Sequence, residues 1–325
     1  MKAYLTSLAI LAFAATAARA ETFQFAGAFN DKDQFTILAR EWADKVKTAT
    51  NGAVTFDIVS NGALVPLPEA LDSISLGVVP AGMVVASFVS GTIPAMGYAE
   101  MIDGLPVENP STGEAMKAIW DNLDAVFNQH GVTALFGAPA YASGLVCRKD
   151  FLKAKADWTG KKIRTAGRWQ AQQVAAMGAV PMPLPPSELY VALQNGVVDC
   201  ALMTPTVTIS TRLYEVAPFY TNTEMAGNIT TIVMNLDVWK KLPEAQRTAI
   251  RKVSDEMIQT ASTAMRESAQ NGLVEFAKTG KVYQLNAAEQ AEFAKTTGPI
   301  FDKVAANVKD APGTAMIKTL SSYRK

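Results

Sequence analysis

Hydrophobic and polar positions follow two rhythms along this chain. Phe23-Gln24-Phe25 alternates with the period of two that suits a half-buried strand. Phe35 to Val46 places its apolar residues at three- and four-residue steps, and Asn30-Asp31 offers a helix start just before it. Asn51-Gly52 and Asn61-Gly62 read as turns, and Val54 to Val59 between them is a strand by its β-branched content. Leu67 to Leu76 follows as a short helix and Gly82 to Ala86 as a buried strand. Strands and helices alternating on this scale predict an α/β lobe with mostly parallel strands.

The same rhythm returns further along. Val132 to Phe136, Gly144 to Arg148 and Ile229 to Met234 read as strands, and Ala171 to Met177 as a helix. Ser187 is a suitable N-cap for a helix running to Asn195, which Gly196 would end in a left-handed cap. The longest pattern runs from Pro243 to about Lys278, with Ile250, Val253, Met257, Ile258, Ala261 and Met265 at helical steps. Pro243 suits a first helical turn. About 36 residues at 1.5 Å each give roughly 54 Å, more than one small domain spans. The alternative is two helices broken near Gly272. No internal repeat and no flexible linker is read, so two lobes would be joined by strands or helices acting as hinges.

The first residues set an expected compartment. Lys2, an apolar run from Leu5 to Ala15 and Ala18-Arg19-Ala20 fit a signal peptide over residues 1–20, with the mature chain starting at Glu21. The apolar run is too short to span a bilayer. No Cys follows it, so no lipid anchor is expected. The expected location is a bacterial periplasm. The chain carries 30 Lys+Arg and 30 Asp+Glu, and removing Lys2 and Arg19 leaves 28 against 30. That balance offers no basic field for nucleic acid or an anionic membrane. About 305 mature residues suffice for two domains.

Cys147 and Cys200 would meet an oxidising compartment, where a disulfide is allowed, although two buried thiols are the alternative. With one histidine they make no zinc site of the usual kind, and no cofactor is expected.

Several segments, in order, resemble the solute-binding subunits of TRAP transporters, the DctP-like family. They are Asn61-Gly-Ala-Leu64, Gly160-Lys-Lys-Ile-Arg164, Ser187-Glu-Leu-Tyr190, Ala192-Leu-Gln-Asn-Gly196-Val-Val-Asp199, Tyr214-Glu-Val-Ala217 and Asn235 through Trp239 to Leu242-Pro243. The resemblance implies a two-lobe periplasmic binding protein fold with discontinuous lobes, a hinge and a long helix spanning both lobes. The first lobe would comprise 21–140 and 229–268, the second 141–228 and 269–325. It also implies a monomer that captures a small carboxylate-bearing organic acid and delivers it to membrane permease subunits.

The family uses an arginine at the position of Arg164 to hold a carboxylate, which a guanidinium does through a planar fork of donors. Arg168 and Trp169 would add an anion contact and an apolar wall. Phe29-Asn30 and Ser87-Phe88 fall after strands, where open α/β sheets bind ligands. Met203, Thr204 and Glu224 complete the expected set. Four departures bear on the ligand: many relatives carry a second arginine where this chain has Gly144, sialate-type relatives an asparagine in the zone of Met203-Thr204, the family's Gly-x-x-Asp reads Gly77-Val-Val-Pro80, and a common Thr-x-His reads Thr223-Glu224. An apolar or aromatic monocarboxylate is the expected ligand, with a dicarboxylate or sulfonate the alternative.

No nucleophile–base set, phosphate loop or metal cluster is read from the sequence, and His130, the one histidine, sits beside Gly131 at an expected helix end. Catalysis by a secreted hydrolase is therefore disfavoured. A sensing subunit that presents the same cleft to a membrane receptor is the other function compatible with these residues.

Overall fold

The structure is a computed structural model that describes residues 20–106 and 111–324. The leader read over residues 1–20 lies outside this range except for Ala20. Among the described residues, eleven strands form two sheets. β1 (Glu21–Ala26), β2 (Val54–Val59), β3 (Ala81–Val85), β4 (Val132–Pro139) and β10 (Ile229–Asn235) make the first, in the order β2-β1-β3-β10-β4. β5 (Ser143–Cys147), β6 (Lys162–Thr165), β7 (Val180–Pro183), β8 (Cys200–Met203), β9 (Phe219–Met225) and β11 (Lys281–Gln284) make the second, in the order β11-β9-β5-β8-β6-β7. β1 pairs in parallel with β2 and β3, whereas β10 is antiparallel to both of its neighbours. Only two short stretches carry the chain between the sheets' strands before the long helix: 140–142 outward and 226–228 back.

Helices cover both sheets. In the first half lie α1 (Gln34–Ala49), α2 (Ala70–Ser75), α3 (Ala86–Val89), α4 (Met96–Glu100) and α5 (Ser111–Asn128). The second half contributes α6 (Lys155–Trp158), α7 (Arg168–Ala176), α8 (Leu189–Gln194) and α9 (Pro205–Ser210). The chain then continues through α10 (Leu236–Lys241), α11 (Glu244–Phe276), α12 (Ala287–Asn307) and α13 (Ala311–Tyr323). α1 starts later than Asn30-Asp31 suggests, because Asp33 is the N-cap and accepts the Phe35 N–H. Ser187 caps nothing: it sits inside a 3-10 turn, Pro186–Glu188, that leads into α8.

α11 is one unbroken helix of 33 residues. Gly272 does not interrupt it, and this position instead lets the helix press against Pro205, which a Cβ would meet at 3.0 Å. The helix touches both halves. Trp42 of α1 donates to Ser254 at 3.0 Å and Asp124 of α5 pairs with Arg251 at 2.8 Å, while Ser268 meets Thr206 of α9 at 3.3 Å. The final helix α13 turns back and packs on α5, and Arg324 just beyond it pairs with Asp103 at 3.1 Å.

The reading of no internal repeat needs correction. A 3-10 turn (Leu67–Glu69), α2, a left-handed Gly77 and β3 recur as Pro186–Glu188, α8, a left-handed Gly196 and β8. Glu69 precedes Gly77-Val78-Val79 at the spacing by which Glu188 precedes Gly196-Val197-Val198. The backbone closes alike in each: Val78 N–H donates to Ser73 O at 2.9 Å, and Val197 N–H to Ala192 O at 2.9 Å. Most side chains differ, which hides the repeat from a linear reading.

Candidate ligand-binding site

The carboxyl ends of β1, β3 and β4 point toward those of β6 and β8, and a cavity lies between them. Phe29, Phe35, Val85, Ser87 and Phe88 line it from the first half. Arg164, Leu202, Met203, Thr204 and Val207 line it from the second. The space open to the centre of a water molecule is about 50 Å³. That admits only a few waters, so the inner chamber is small. A wider mouth lies outside it, bordered by Asn30, Pro66, Glu69, Pro186, Glu188 and Ser210.

Arg164 is the centre of the chamber. Alternation along β6 turns its side chain inward, where it is only 3% exposed. Its Nε donates to Leu184 O at 2.7 Å and its Nη1 to Leu202 O at 3.0 Å. These two carbonyls fix the plane of the fork and use two of its five donors. No carboxylate pairs with it among the described residues. Burial pushes its pKa down to about 9, which still leaves it charged at neutral pH. A buried cation without an anion is costly, and beyond these two carbonyls the guanidinium has no hydrogen-bond partner among the described residues.

The polar groups around it are few and held in place. Asn228, in a left-handed conformation at φ 71°, accepts the Ser87 N–H at 3.3 Å and donates to Ser87 Oγ at 3.2 Å. Ser87 therefore keeps its own hydroxyl proton for the chamber. Thr204 is the N-cap of α9, accepting the Val207 N–H at 3.4 Å. On the second sheet the Tyr220 hydroxyl lies 2.8 Å from both Ala142 O and Met203 O, and burial raises its pKa well above the usual tyrosine range. A Cβ on Gly144 would collide with Thr221 O and come within 2.7 Å of the Tyr220 ring. No longer side chain fits there, so this fold excludes a second arginine at that position.

Six of the ten residues singled out in the sequence line the chamber: Phe29, Ser87, Phe88, Arg164, Met203 and Thr204. The other four do not. Asn30 borders the outer mouth and donates to Ser210 O at 3.1 Å. Arg168 is exposed and lies over the Trp169 ring at 4.7 Å. Trp169 is buried against Gly97, away from the chamber. Glu224 is exposed, its carboxylate 3.4 Å from Gln290 Nε2. Phe35, Gln170, Val207 and Asn228 are among the lining residues that the sequence does not single out. Asn228 follows Gly227 in the return crossing. Cys147 and Cys200 form a disulfide across β5 and β8.

A contact between the halves places α7. Glu100 of α4 is buried and its Oε1 accepts the backbone N–H groups of Trp169 at 2.8 Å and Gln170 at 3.0 Å. Burial raises its pKa to about 7, against the lowering effects of Ser90 and these two N–H groups. Gln173 seals the same face, accepting from Ile102 N at 3.0 Å and donating to Ile102 O at 2.9 Å.

The sequence profile of the bacterial extracellular solute-binding proteins, family 7 (DctP), matches residues 25–307. The chain belongs to this family. This DctP-family protein is 26% identical over 287 residues to the C4-dicarboxylate-binding periplasmic protein DctP of Rhodobacter capsulatus, covering 83% of this chain and 82% of that one. Its fold matches a TRAP periplasmic solute-binding protein of Desulfovibrio salexigens with bound orotic acid, at a TM-score of 0.86 and 23% identity, covering 93% and 98% of the two chains. It also matches a Bordetella pertussis extracytoplasmic solute receptor binding pyroglutamic acid, at a TM-score of 0.82 and 23% identity, covering 94% and 100%. The family is one of solute-binding receptors of transporters and not of enzymes. No helix among the described residues is long and apolar enough to cross a membrane.

Proposed function

We propose that this protein is the periplasmic receptor of a TRAP-type transporter for a compact monocarboxylate with a flat or apolar body. Residues 1–20 serve as its cleaved leader. In this reading one lobe is built on the first sheet and the other on the second, and α13 (Ala311–Tyr323), which the expected boundary of 269–325 assigns to the second lobe, goes instead with the first because it packs on α5. The lobes close over the ligand by movement at 140–142 and 226–228, and the closed monomer hands the acid to the permease.

The observation that carries this reading is Arg164, a buried guanidinium with free donors and no anionic partner among the described residues. Phenylalanines 29, 35 and 88 and Met203 suit an apolar or planar body. The small chamber favours a compact ligand, and the outward position of Arg168 argues against a second carboxylate or a sulfonate held there. Orotic and pyroglutamic acids, bound by the two structural relatives above, are compact ring acids of this kind.

Isothermal titration with a panel of ring, aliphatic, di- and sulfonic acids tests the reading. A compact monocarboxylate should bind tightest, and Arg164→Ala should weaken it a hundredfold or more, the equivalent of about 3 kcal/mol of charge-assisted hydrogen bonding. A best ligand without a carboxylate, or unchanged affinity in Arg164→Ala, overturns it.

A further inference from the structure

Three residues join the halves on the side of the chamber where α1 begins. Asn30 Nδ2 donates to the backbone carbonyl of Ser210 at 3.1 Å. Ser210 Oγ donates in return to Asp33 Oδ2 at 2.9 Å. The other Asp33 oxygen accepts the Phe35 N–H at 3.0 Å. Asn30 and Asp33 sit in the loop after β1, and Ser210 ends α9 in the second half.

This loop carries part of the chamber wall. Phe29 and Phe35 flank it and stack on each other with ring centroids 5.1 Å apart. Thr36 ties the wall together by donating to Phe29 O at 3.2 Å. α9 contributes Val207 to the same chamber one turn before Ser210. A bond at Ser210 therefore sets the distance between two walls that the ligand touches.

We propose that Asn30, Asp33 and Ser210 form a clasp that holds the two halves shut over the ligand and couples closure to proton uptake. The proposal rests on the reading of the cleft as a site that closes on its ligand. Asp33 is fully buried, and no cation pairs with it among the described residues. Its own loop contributes Lys32 and Asp31, the latter paired with Arg40. Lys32, Arg212 and Glu275 line the groove beside Ser210, and Glu69 and Glu188 border the mouth on its other side. Arg212 is taken by Glu215 and Glu275 by Lys278. Closure thus removes a carboxylate from water without supplying a counter-charge.

The sign follows from that burial. In the closed form desolvation raises the Asp33 pKa from 3.8 to about 6. Opening returns the group toward water and its ordinary value. The closed form then binds more protons than the open one, so lowering the pH favours closure. Between pH 7.5 and 5.0 the closed-to-open ratio should rise roughly tenfold.

Small-angle scattering of the ligand-free protein at these two pH values tests the clasp without reference to any ligand. The wild type should be more compact at pH 5.0. Asp33→Asn, which keeps an N-capping side chain, should show the same compactness at both values once Glu100, the other carboxylate buried where the halves meet, is neutralised as Glu100→Gln, so every comparison of pH slope is made with Glu100→Gln in both proteins. Ser210→Ala should be more open at both. Titration of an acid that stays ionised over this range should then show up to about tenfold tighter wild-type binding at pH 5.0, and no such gain in Asp33→Asn. Scattering that is independent of pH in the wild type, or that changes equally in Asp33→Asn, overturns the clasp. Loss of binding in Arg164→Ala alongside an unchanged pH slope in Asp33→Asn overturns the clasp and leaves the receptor reading standing. If no acid binds, that reading fails, and the ligand-free scattering decides the clasp alone.

Discussion

Glu100 holds the first turn of α7 by accepting the Trp169 backbone N–H at 2.8 Å. A single carboxylate from the first half thereby orients the helix that follows Arg164, β6 and Gly167. Any Cβ at Gly167 would collide with Ser87 O and the Glu100 carboxylate, so the two halves meet there without a gap.

Stability should depend on pH through Glu100. Burial raises its folded pKa from 4.5 to about 7, so the folded state binds more protons than the unfolded one between these values. Stability is then greatest below about pH 4.5 for this group and declines as pH rises toward 7, by roughly 3 kcal/mol. Glu100→Gln retains an acceptor for the helix N–H groups and removes the charge. Thermal melts from pH 5 to 8 should show a shallower decline for this variant than for the wild type.

Lysine should be a poor substitute for Arg164. It keeps a charge but has neither the planar fork nor a fixed geometry for the Leu184 and Leu202 carbonyls. Arg164→Lys should bind the best acid at least tenfold more weakly than the wild type, a loss of about 1.4 kcal/mol or more. Titration calorimetry reads this directly.

Arg168 and Trp169 should separate binding from folding. Arg168→Ala removes an exposed side chain that does not reach the chamber, and affinity should stay within about twofold. Trp169→Phe shrinks a buried ring whose indole N–H has no partner among the described residues. It should lower the melting temperature by a cavity cost of about 1–2 kcal/mol while leaving affinity nearly unchanged. Paired melting and titration data on both variants check this.

The disulfide should stabilise the second half. Cys147 and Cys200 are 53 residues apart and join neighbouring antiparallel strands. Closing a loop of that length is worth about 4 kcal/mol in the chain-entropy account. A Cys147→Ala, Cys200→Ala double variant should unfold at correspondingly lower denaturant, with little change in affinity because both cysteines lie at the far end of their strands from Thr204.

Gly144→Ala should be costly despite its size. The added methyl meets Thr221 O and the Tyr220 ring, which is pinned by its hydroxyl contacts to Ala142 O and Met203 O. Overpacking of this kind typically costs 1–3 kcal/mol. Denaturant titration of the variant measures it.

Local pattern made much of this architecture legible. The strand Val54 to Val59 is bounded by turns and rich in β-branched residues, and it forms as read. α11 could be read because its apolar stripe and missing prolines need no partner to be recognised. Elements whose character comes from packing were harder to see. Ser187 looks like a cap, but the prolines before it impose a 3-10 turn and push the helix start to Leu189. The repeated turn–helix–strand unit shares backbone geometry more than side chains, so it emerges only when both copies are folded.

The site divides along the same physical line. Sequence by itself determined the family and the two-lobe α/β plan and singled out Arg164 as the expected anchor, because a motif and a period are properties of neighbours along the chain. Tertiary structure alone decided which side chains face the chamber. Arg168 and Trp169 follow Arg164 closely in sequence, yet the start of α7 turns one to solvent and the other against Gly97. Phe35, Gln170 and Asn228 are far apart in the chain and meet only because strand ends from two sheets converge. The burial of Asp33 and Glu100 belongs to the same category. Each loses water to residues from the opposite half, and that loss of solvation, which no local sequence feature records, sets their charge behaviour.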